Sequence, residues 1–268
     1  MPTPPENAVR HLTELSSGPP LDPALRVTLN FQPDRPGLLD ALASTGTYVS
    51  QFTTGTSNGG LTAHPGGDRW RWESRIFNGA YDEAPAHIRP VYGALNFRRR
   101  SAGAAPRFGS AHLRLTADVL PRTTFCYPDS TFEPTHFGVA ARMSLIALAE
   151  ADHQDPLDDY IEAQVHGPLR IDRDVEALVL DPSFRGTPVE RAARRLPCPL
   201  EWHDGFKLTV EELRRHPYFR GPQYVVLAEH LADDGWLTPH VLAQAFGQYD
   251  AQDLKRVWHC LARFGSVS

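Results

Sequence analysis

Four polar side chains between residues 160 and 166 are spaced so that they could act together in one site. An extended backbone places alternate residues on the same face, which aligns Tyr160, Glu162, Gln164 and His166. A carboxylate among hydrogen-bonding groups can stabilise positive charge that develops on a ligand. The alternative is a half-exposed strand whose polar face only contacts solvent. Because this face carries no Lys or Thr, we favour the functional interpretation.

The segment 51–60 contains residue types that bind phosphate or ribose. Thr54, Gly55, Thr56 and Ser57 are small, so backbone amides and hydroxyls can approach a ligand closely. The segment lacks the Lys of a Walker loop and the GxGxxG spacing of a dinucleotide fold. A plain turn cluster is therefore the alternative.

A further polar face is predicted in the short strand that follows residue 109. Alternation puts Ser110, His112 and Arg114 on one side of it. A hydroxyl, an imidazole and a guanidinium on one face suit the binding of a sugar or a phosphate. An edge strand with a polar outer face is an equally good interpretation.

Scattered histidines allow a metal site as a third hypothesis. No HxH, HxxxH or HExxH pairing fixes a metal geometry. The side chains on which such a site could draw are His112, His136, His153, His166, Asp152 and Asp155. Cys126 has no sequence context of a nucleophile, and Ser57 and Ser110 lack a nucleophile-elbow pattern.

The composition is that of a globular protein of 268 residues, with 41% hydrophobic and 22% charged residues. A net charge of −5 argues against a general nucleic-acid or anionic-membrane binder. Three cysteines without CxxC spacing indicate reduced thiols. No signal-peptide pattern and no membrane-spanning apolar run is present. We therefore expect a cytoplasmic protein, while export by a route that needs no signal peptide stays open.

The elements that must position these residues form an α+β pattern. Strands are predicted over 26–31, 92–97, 112–115, 123–127, 160–166 and 175–180, the last two as a hairpin, and a helix over 134–151. The glycine-rich, aromatic segment 48–92 is expected to be a long loop that forms one wall of a cleft. We divide the chain into an extension (1–20), an α+β domain (21–200) and a helical C-terminal region (201–268).

The order of these motifs resembles the Arg–Ser–Glu layout of ADP-ribosyltransferases. In that superfamily the catalytic Glu begins a strand that ends in a Pro-containing turn, and Glu162–Pro168 is similar. The usual Ser-Thr-Ser phrase is absent; Thr54–Ser57 and Gly109-Ser110 are the candidates for it. Most of the chain also resembles an uncharacterised bacterial domain family, through the phrases 56–61, 92–96 and 160–168.

The resemblance implies split antiparallel sheets and a reaction with NAD as substrate. It implies Glu162 as the catalytic residue, assisted by Gln164 and Ser57. The early arginine is Arg26, with Arg35 and Arg75 as alternatives. The residues expected to bind NAD are Arg26, Thr54, Gly55, Thr56, Tyr92, Ser110, His112, Tyr160 and His166. No metal is required.

The function expected is therefore an ADP-ribosyltransferase or an NAD glycohydrolase, with a protein, a nucleic acid or water as acceptor. Breaking the nicotinamide–ribose bond passes through an oxocarbenium-like state, which a carboxylate stabilises. Whether such an enzyme is toxin-like, regulatory or housekeeping stays open. The alternatives are a metal-assisted hydrolase or nuclease built on His112, His136 and His166, and a non-enzymatic module that binds a nucleotide or a protein.

Overall fold

The computed structural model describes residues 2–55 and 61–265, and the fold is a mixed α+β architecture. The helices are α1 Pro4–Leu15, α2 Leu38–Thr45, α3 Gln51–Thr54, α4 Asp68–Ile76, α5 Leu145–Ala151, α6 Ile171–Asp174, α7 Pro188–Ala193, α8 Val210–Leu213, α9 Pro222–Leu231, α10 Pro239–Gln244 and α11 Ala251–Phe264. The strands are β1 Val27–Phe31, β2 Thr47–Tyr48, β3 Val91–Leu95, β4 Ala111–Leu115, β5 Thr123–Tyr127, β6 His136–Val139, β7 Ile161–Val165, β8 Leu169–Arg170, β9 Val175–Leu180, β10 Leu200–Trp202, β11 Leu208–Thr209 and β12 Trp236–Leu237.

Eight of these strands form one large sheet in the order β10-β9-β4-β1-β3-β7-β5-β6. Neighbouring strands are antiparallel except for the parallel pair β9 and β10. The central strands carry Glu162, Ala94 and Cys126 in one row, since Glu162 pairs with Ala94 on β3 and with Cys126 on β5. The expected mostly antiparallel sheet is therefore present.

Two expectations about the sheet are wrong. The main strands form one continuous sheet and not two split sheets, because β3, β7 and β5 pair side by side. The strands around Glu162 and residue 176 do not form a hairpin. After Gly167 the chain instead forms β8 and α6, and β9 joins the sheet beside β4, four positions from β7.

The predicted helix over 134–151 is also only half correct. Residues 136–139 form strand β6, which pairs with β5, and only Leu145–Ala151 is helical. The segment 48–92 is less irregular than expected, because it contains α3 and α4. Residues 201–265 hold four helices and the strand pair β11–β12, while β10 extends the main sheet across the proposed boundary at residue 200.

Both faces of β7 are covered by apolar layers. Ile161, Ala163 and Val165 point into the main core. A second cluster covers the other face around β5, and its buried members are Ala8, Leu12, Trp72, Ile76, Phe77, Tyr81, Cys126 and Val139. The polar residues of β7 are therefore inside the protein, where each needs a hydrogen-bond partner.

Candidate active site

A cavity of about 450 Å³ lies over the central strands of the sheet. This volume is within the usual range of small-molecule sites. Its floor includes Thr28 and Asn30 of β1, Tyr92 and Gly93 of β3, and Glu162 of β7. Residues from α2 and from the segment 47–54 form one wall, and other lining residues are Gln32, Arg35, Arg69, Ala105, Phe108 and Tyr160.

Gly93 lines the cavity at a point where β1 and β3 approach closely. A Cβ atom at this position would lie 2.7 Å from the carbonyl oxygen of Thr28 and 2.4 Å from Cδ2 of Leu29. A larger residue would therefore push the two strands apart.

Glu162 is the buried acid of this cavity, with 7% of its surface exposed. The Ser130 hydroxyl donates to its Oε2 at 2.8 Å, and the Ser130 amide donates to the same atom at 3.3 Å. The Gln164 side chain donates to Oε1 at 3.1 Å. Nη1 of Arg69 lies 3.8 Å from Oε1. The carboxylate is thus surrounded by donors and one cation, which is the environment that an ionised acid requires.

Arg69 reaches Glu162 from α4, whose buried face is formed by residues at positions i, i+3, i+4 and i+7: Arg69, Trp72, Glu73 and Ile76. Its guanidinium donates to the Ser130 hydroxyl at 2.8 Å and lies 4.0 Å from the centre of the Tyr92 ring. The ring face attracts the cation and holds it in place. Arg69, Ser130 and Glu162 therefore form one connected group.

The ionisation of Glu162 is set by opposing influences. Burial raises the pKa of Glu162 above its usual 4.5, Arg69 lowers it, Asp129 raises it, and the Ser130 hydrogen bonds lower it. Burial lowers the pKa of Arg69, but Tyr92, Glu162 and Glu73 raise it, and the net shift is upward. Arg69 is therefore a permanent cation beside an acid that protonates more readily than an exposed glutamate.

A second buried acid, Glu73, interacts with both Tyr92 and Arg69. Glu73 accepts hydrogen bonds from the Tyr92 hydroxyl at 2.8 Å and from Arg89 at 2.6 Å. Burial raises the pKa of Glu73 to about 7, although Tyr92, Arg89 and Arg69 lower it. Arg89 also donates to the carbonyl of Tyr81 at 2.7 Å. The hydrogen bond between Tyr92 and Glu73 joins β3 to α4.

A chain of buried hydrogen bonds runs along β7 to Glu162. Thr124 donates to Gln164 at 2.9 Å, so the Thr124 oxygen must accept the Nε2 proton of His166, which lies 2.9 Å away. Nδ1 of His166 then accepts from the Tyr81 hydroxyl at 2.7 Å. Burial lowers the pKa of His166 to about 3, so the ring is neutral. Each group donates toward Glu162 and stabilises its negative charge.

The cavity brings together only some of the residues expected from the sequence. Thr54, Tyr92, Tyr160 and Glu162 line it, and Gln164 contacts Glu162 from behind. Thr56 and Ser57 lie outside the described residues. Among the described residues, the cavity lining does not include the remaining candidates, which are Arg26, Gly55, Ser110, His112 and His166.

The candidates outside the cavity lining are held by contacts elsewhere in the fold. Arg26 forms an ion pair with Glu176 at 2.5 Å, at the β9 side of the sheet. Ser110 is buried directly before β4, where its hydroxyl donates to Gln32 at 3.3 Å, and His112 is buried on β4. Of the alternative arginines, Arg35 lines the cavity, while Arg75 is exposed and pairs with Glu133 at 3.5 Å.

Sequence reasoning missed Arg69 and Ser130. Arg69 belongs to a segment that looked like a loop, although its apolar spacing is helical. Ser130 follows β5 in a turn that Asp129 stabilises by accepting from the Thr131 amide at 2.8 Å. The Pro-Asp-Ser sequence indicates such a turn, but it does not reveal that the serine faces Glu162.

The histidines are spread over the fold. His112, His136 and His166 belong to three different regions of the sheet. Within residues 2–55 and 61–265, no group of three or more His, Cys, Asp or Glu side chains is arranged to hold a metal ion. No helix in these same ranges is long and apolar enough to span a membrane.

Comparison with known families identifies the chain only at the level of its family. The model of the family described as protein of unknown function (DUF3626) matches residues 26–150 and 136–264. The chain therefore belongs to this family. No curated protein shows a significant match to it.

Proposed function

We propose that this DUF3626 member cleaves the nicotinamide–ribose bond of NAD, as an ADP-ribosyltransferase or an NAD glycohydrolase. The observation that carries the proposal is the contact of Glu162 with Ser130 and Arg69 at the floor of a ligand-sized cavity. A buried acid with a raised pKa, beside a cation in a cavity, is typical of a functional site.

The proposed reaction needs one negative charge at a defined place. Nicotinamide leaves with the electron pair of its bond to ribose, and the ribosyl carbon becomes positively charged. The Glu162 carboxylate would accept a hydrogen bond from the ribose 2′-hydroxyl and stabilise this charge. Ser130 and Gln164 would orient the carboxylate through their hydrogen bonds to its two oxygens. Water or a macromolecular nucleophile then attacks the ribosyl carbon.

The rest of the cavity offers groups that suit the other parts of NAD. Arg35 lies at the wall near α2 and would bind the pyrophosphate. Tyr48 and Phe108 provide aromatic surface for a base. Thr54 would contribute a hydroxyl to a ribose, in the role expected for the segment 51–60. In this proposal, Arg69 or Arg35 takes the place of the early arginine of the Arg–Ser–Glu layout.

The proposal includes a distant relation to the ADP-ribosyltransferase fold. What supports it is a late strand, β7, that carries the acid in the middle of a mostly antiparallel sheet and ends before Gly167-Pro168. A cytoplasmic location, which the absence of a signal-peptide pattern favours, belongs to the same proposal. The acceptor is left as a protein, a nucleic acid or water.

Incubation of the purified protein with NAD, with and without cell extract as a source of acceptors, tests the proposal. Release of free nicotinamide is measured by chromatography. Release without extract indicates hydrolysis, and release only with extract indicates transfer. NAD that binds but stays intact under both conditions would contradict the enzyme and favour a nucleotide-binding module.

A further inference from the structure

Four basic side chains lie close enough to a buried histidine of the C-terminal region to influence it electrostatically, and this histidine is outside the candidate active site. His259 lies on α11 with 1% of its surface exposed, and neither ring nitrogen has a hydrogen-bond partner among the described residues. Burial, and then the charges of Arg220, Arg107, Lys255 and Arg256, lower the pKa of His259 to about 3. We call Arg107, Arg220, Lys255 and Arg256 the cationic cluster.

The members of the cationic cluster come from three parts of the chain, since Lys255 and Arg256 are both on α11, and they repel one another. Burial lowers the pKa of Arg220, and repulsion from Arg107 and Arg256 adds to this effect while Asp155 opposes it. Burial likewise lowers the pKa of Lys255, with repulsion from Arg107 and Arg256. Basic side chains that repel one another are expected to lie close together where a bound anion compensates the repulsion.

Two acids among the described residues pair with arginines in this region. Asp158 pairs with Arg107, and Asp155 pairs with Arg263 at 2.8 Å. Nε of Arg220 is buried without a hydrogen-bond partner among the described residues. Basic side chains are therefore concentrated in this region, although the whole chain has a net charge of −5.

The cationic cluster is fixed in position next to the cavity. The Trp258 indole on α11 donates to the carbonyls of Pro106 and Arg107 at 3.0 and 3.2 Å. The next residue, Phe108, lines the cavity and contacts the Tyr160 ring edge-on, with 5.6 Å between the ring centres. Arg107 of the cationic cluster is thus held next to a residue that lines the cavity.

We propose that the cationic cluster is a binding site for phosphate groups. Guanidinium groups bind phosphate oxygens through two hydrogen bonds. His259, whose ring nitrogens have no hydrogen-bond partner among the described residues, can donate one more. The phosphates could belong to a small compound or to a nucleic-acid strand. Tyr218 favours the strand, because it is 88% exposed two residues before Arg220 and offers a ring for base stacking. Only a role for that strand as acceptor would rest on the proposed transferase function.

Binding is measured without NAD, by fluorescence anisotropy of a labelled single-stranded oligonucleotide and by calorimetry with tripolyphosphate. Arg220→Gln and Arg256→Gln should each weaken binding on the order of tenfold and flatten its salt dependence. Arg191→Gln, which removes an exposed arginine on α7, is the matched control and should bind like the wild type. Thermal melting checks that all variants fold.

The two probes distinguish the source of the phosphate. Tight binding of the oligonucleotide alone assigns a strand, and equal binding of tripolyphosphate assigns a small phosphorylated compound. The proposal is overturned if neither probe binds at low ionic strength, or if the two cluster variants bind as well as Arg191→Gln. Repeating the titration with Glu162→Gln keeps this outcome independent of NAD cleavage, since binding at the cluster should not change.

Discussion

At the scale of single residues, Glu162 combines burial with an unusually complete set of donors. Ser130 and Gln164 donate to its two oxygens, and Arg69 supplies the nearest positive charge. Burial favours the protonated acid, whereas the donors and the cation favour the carboxylate. The proposed reaction should therefore depend on pH through the pKa of Glu162, and the neighbours of Glu162 should set that pKa.

The first prediction concerns this pH dependence. The reaction needs the ionised acid, and the pKa of Glu162 is raised above 4.5. Nicotinamide release should thus decline as the pH falls through a midpoint above 4.5. In Ser130→Ala, a hydrogen bond that lowers the pKa is lost, so the decline should move to higher pH. The pH–rate profiles of both proteins check this.

Ser44→Ala is the control, because Ser44 is an exposed serine on α2. Its profile should match that of the wild type. A Ser130→Ala profile that is unchanged, or that moves to lower pH, would show that Ser130 does not set the ionisation of Glu162.

The sequence placed Glu162 and Gln164 together, but it did not indicate Arg69 or Ser130. Alternation in an extended segment was enough to place Glu162, Gln164 and His166 on one face. Nothing local to residues 69 and 130 shows that they meet, because Arg69 and Ser130 are 61 positions apart and only the packing of α4 against β5 and β7 joins them. Arg26 was a plausible strand arginine, yet Glu176 on β9 binds it.

At the scale of elements, α4 is the support of the site. It carries Arg69 toward Glu162 and inserts Trp72 between aromatic neighbours, with ring-centre distances of 5.8 Å to Phe77 and 6.1 Å to Tyr92. Trp72 is 3% exposed. The helix therefore keeps its place through apolar packing, and the position of Arg69 depends on that packing.

The second prediction compares the two tryptophans of α4. Trp72→Ala removes a fully packed ring and should lower the free energy of unfolding by about 3–5 kcal/mol. Trp70→Ala changes a half-buried ring on the same helix and should cost much less. Denaturant unfolding measures both. Similar losses in the two variants would contradict the role of Trp72 as the anchor of α4.

Element types were predictable where the hydrophobic period was clear, and strand neighbours were not. The strands at 123–127 and 175–180 appear where residue alternation predicted them. The helix predicted over 134–151 is wrong in its first half, because the helical spacing of apolar residues continues through both β6 and α5. A turn at residues 140–141 separates these two elements. The assumed hairpin failed because Gly167-Pro168 leads into β8 and not into a tight turn.

At the scale of the whole molecule, three buried histidines link stability to pH. Burial lowers the pKa of His112, His166 and His259 from 6.5 to about 3 each, with help from nearby positive charges. In the unfolded chain these rings bind protons near pH 6.5, whereas in the folded protein they do not until about pH 3. Unfolding therefore takes up protons, and the stability that they contribute is lost as the pH falls below 6.5.

The third prediction follows for His259. The free energy of unfolding of the wild type should decrease steeply between pH 6 and pH 4, and His259→Leu should reduce the proton uptake on unfolding by about one. His153→Leu, at an exposed histidine, should leave the slope unchanged. Urea unfolding at a series of pH values gives the slopes. Equal slopes for both variants would mean that His259 is protonated in the folded protein.

The net charge of the chain does not show how its charges are distributed over the folded molecule. The chain has a net charge of −5, yet the fold brings Arg107, which precedes the cavity residue Phe108, near Arg220 and Arg256 of the C-terminal region. Composition cannot predict such a surface, because it depends on which distant segments become neighbours.

The central claim is that Glu162 drives cleavage of NAD, and nicotinamide release by Glu162→Gln beside the wild type tests it most directly. The amide keeps the shape of the side chain and removes its charge. We expect the variant to fold and to bind NAD as the wild type does, and to lose activity on the order of 10²–10³-fold. Glu150→Gln, at an exposed glutamate on α5, should keep full activity. A Glu162→Gln protein that releases nicotinamide at the wild-type rate would contradict the account.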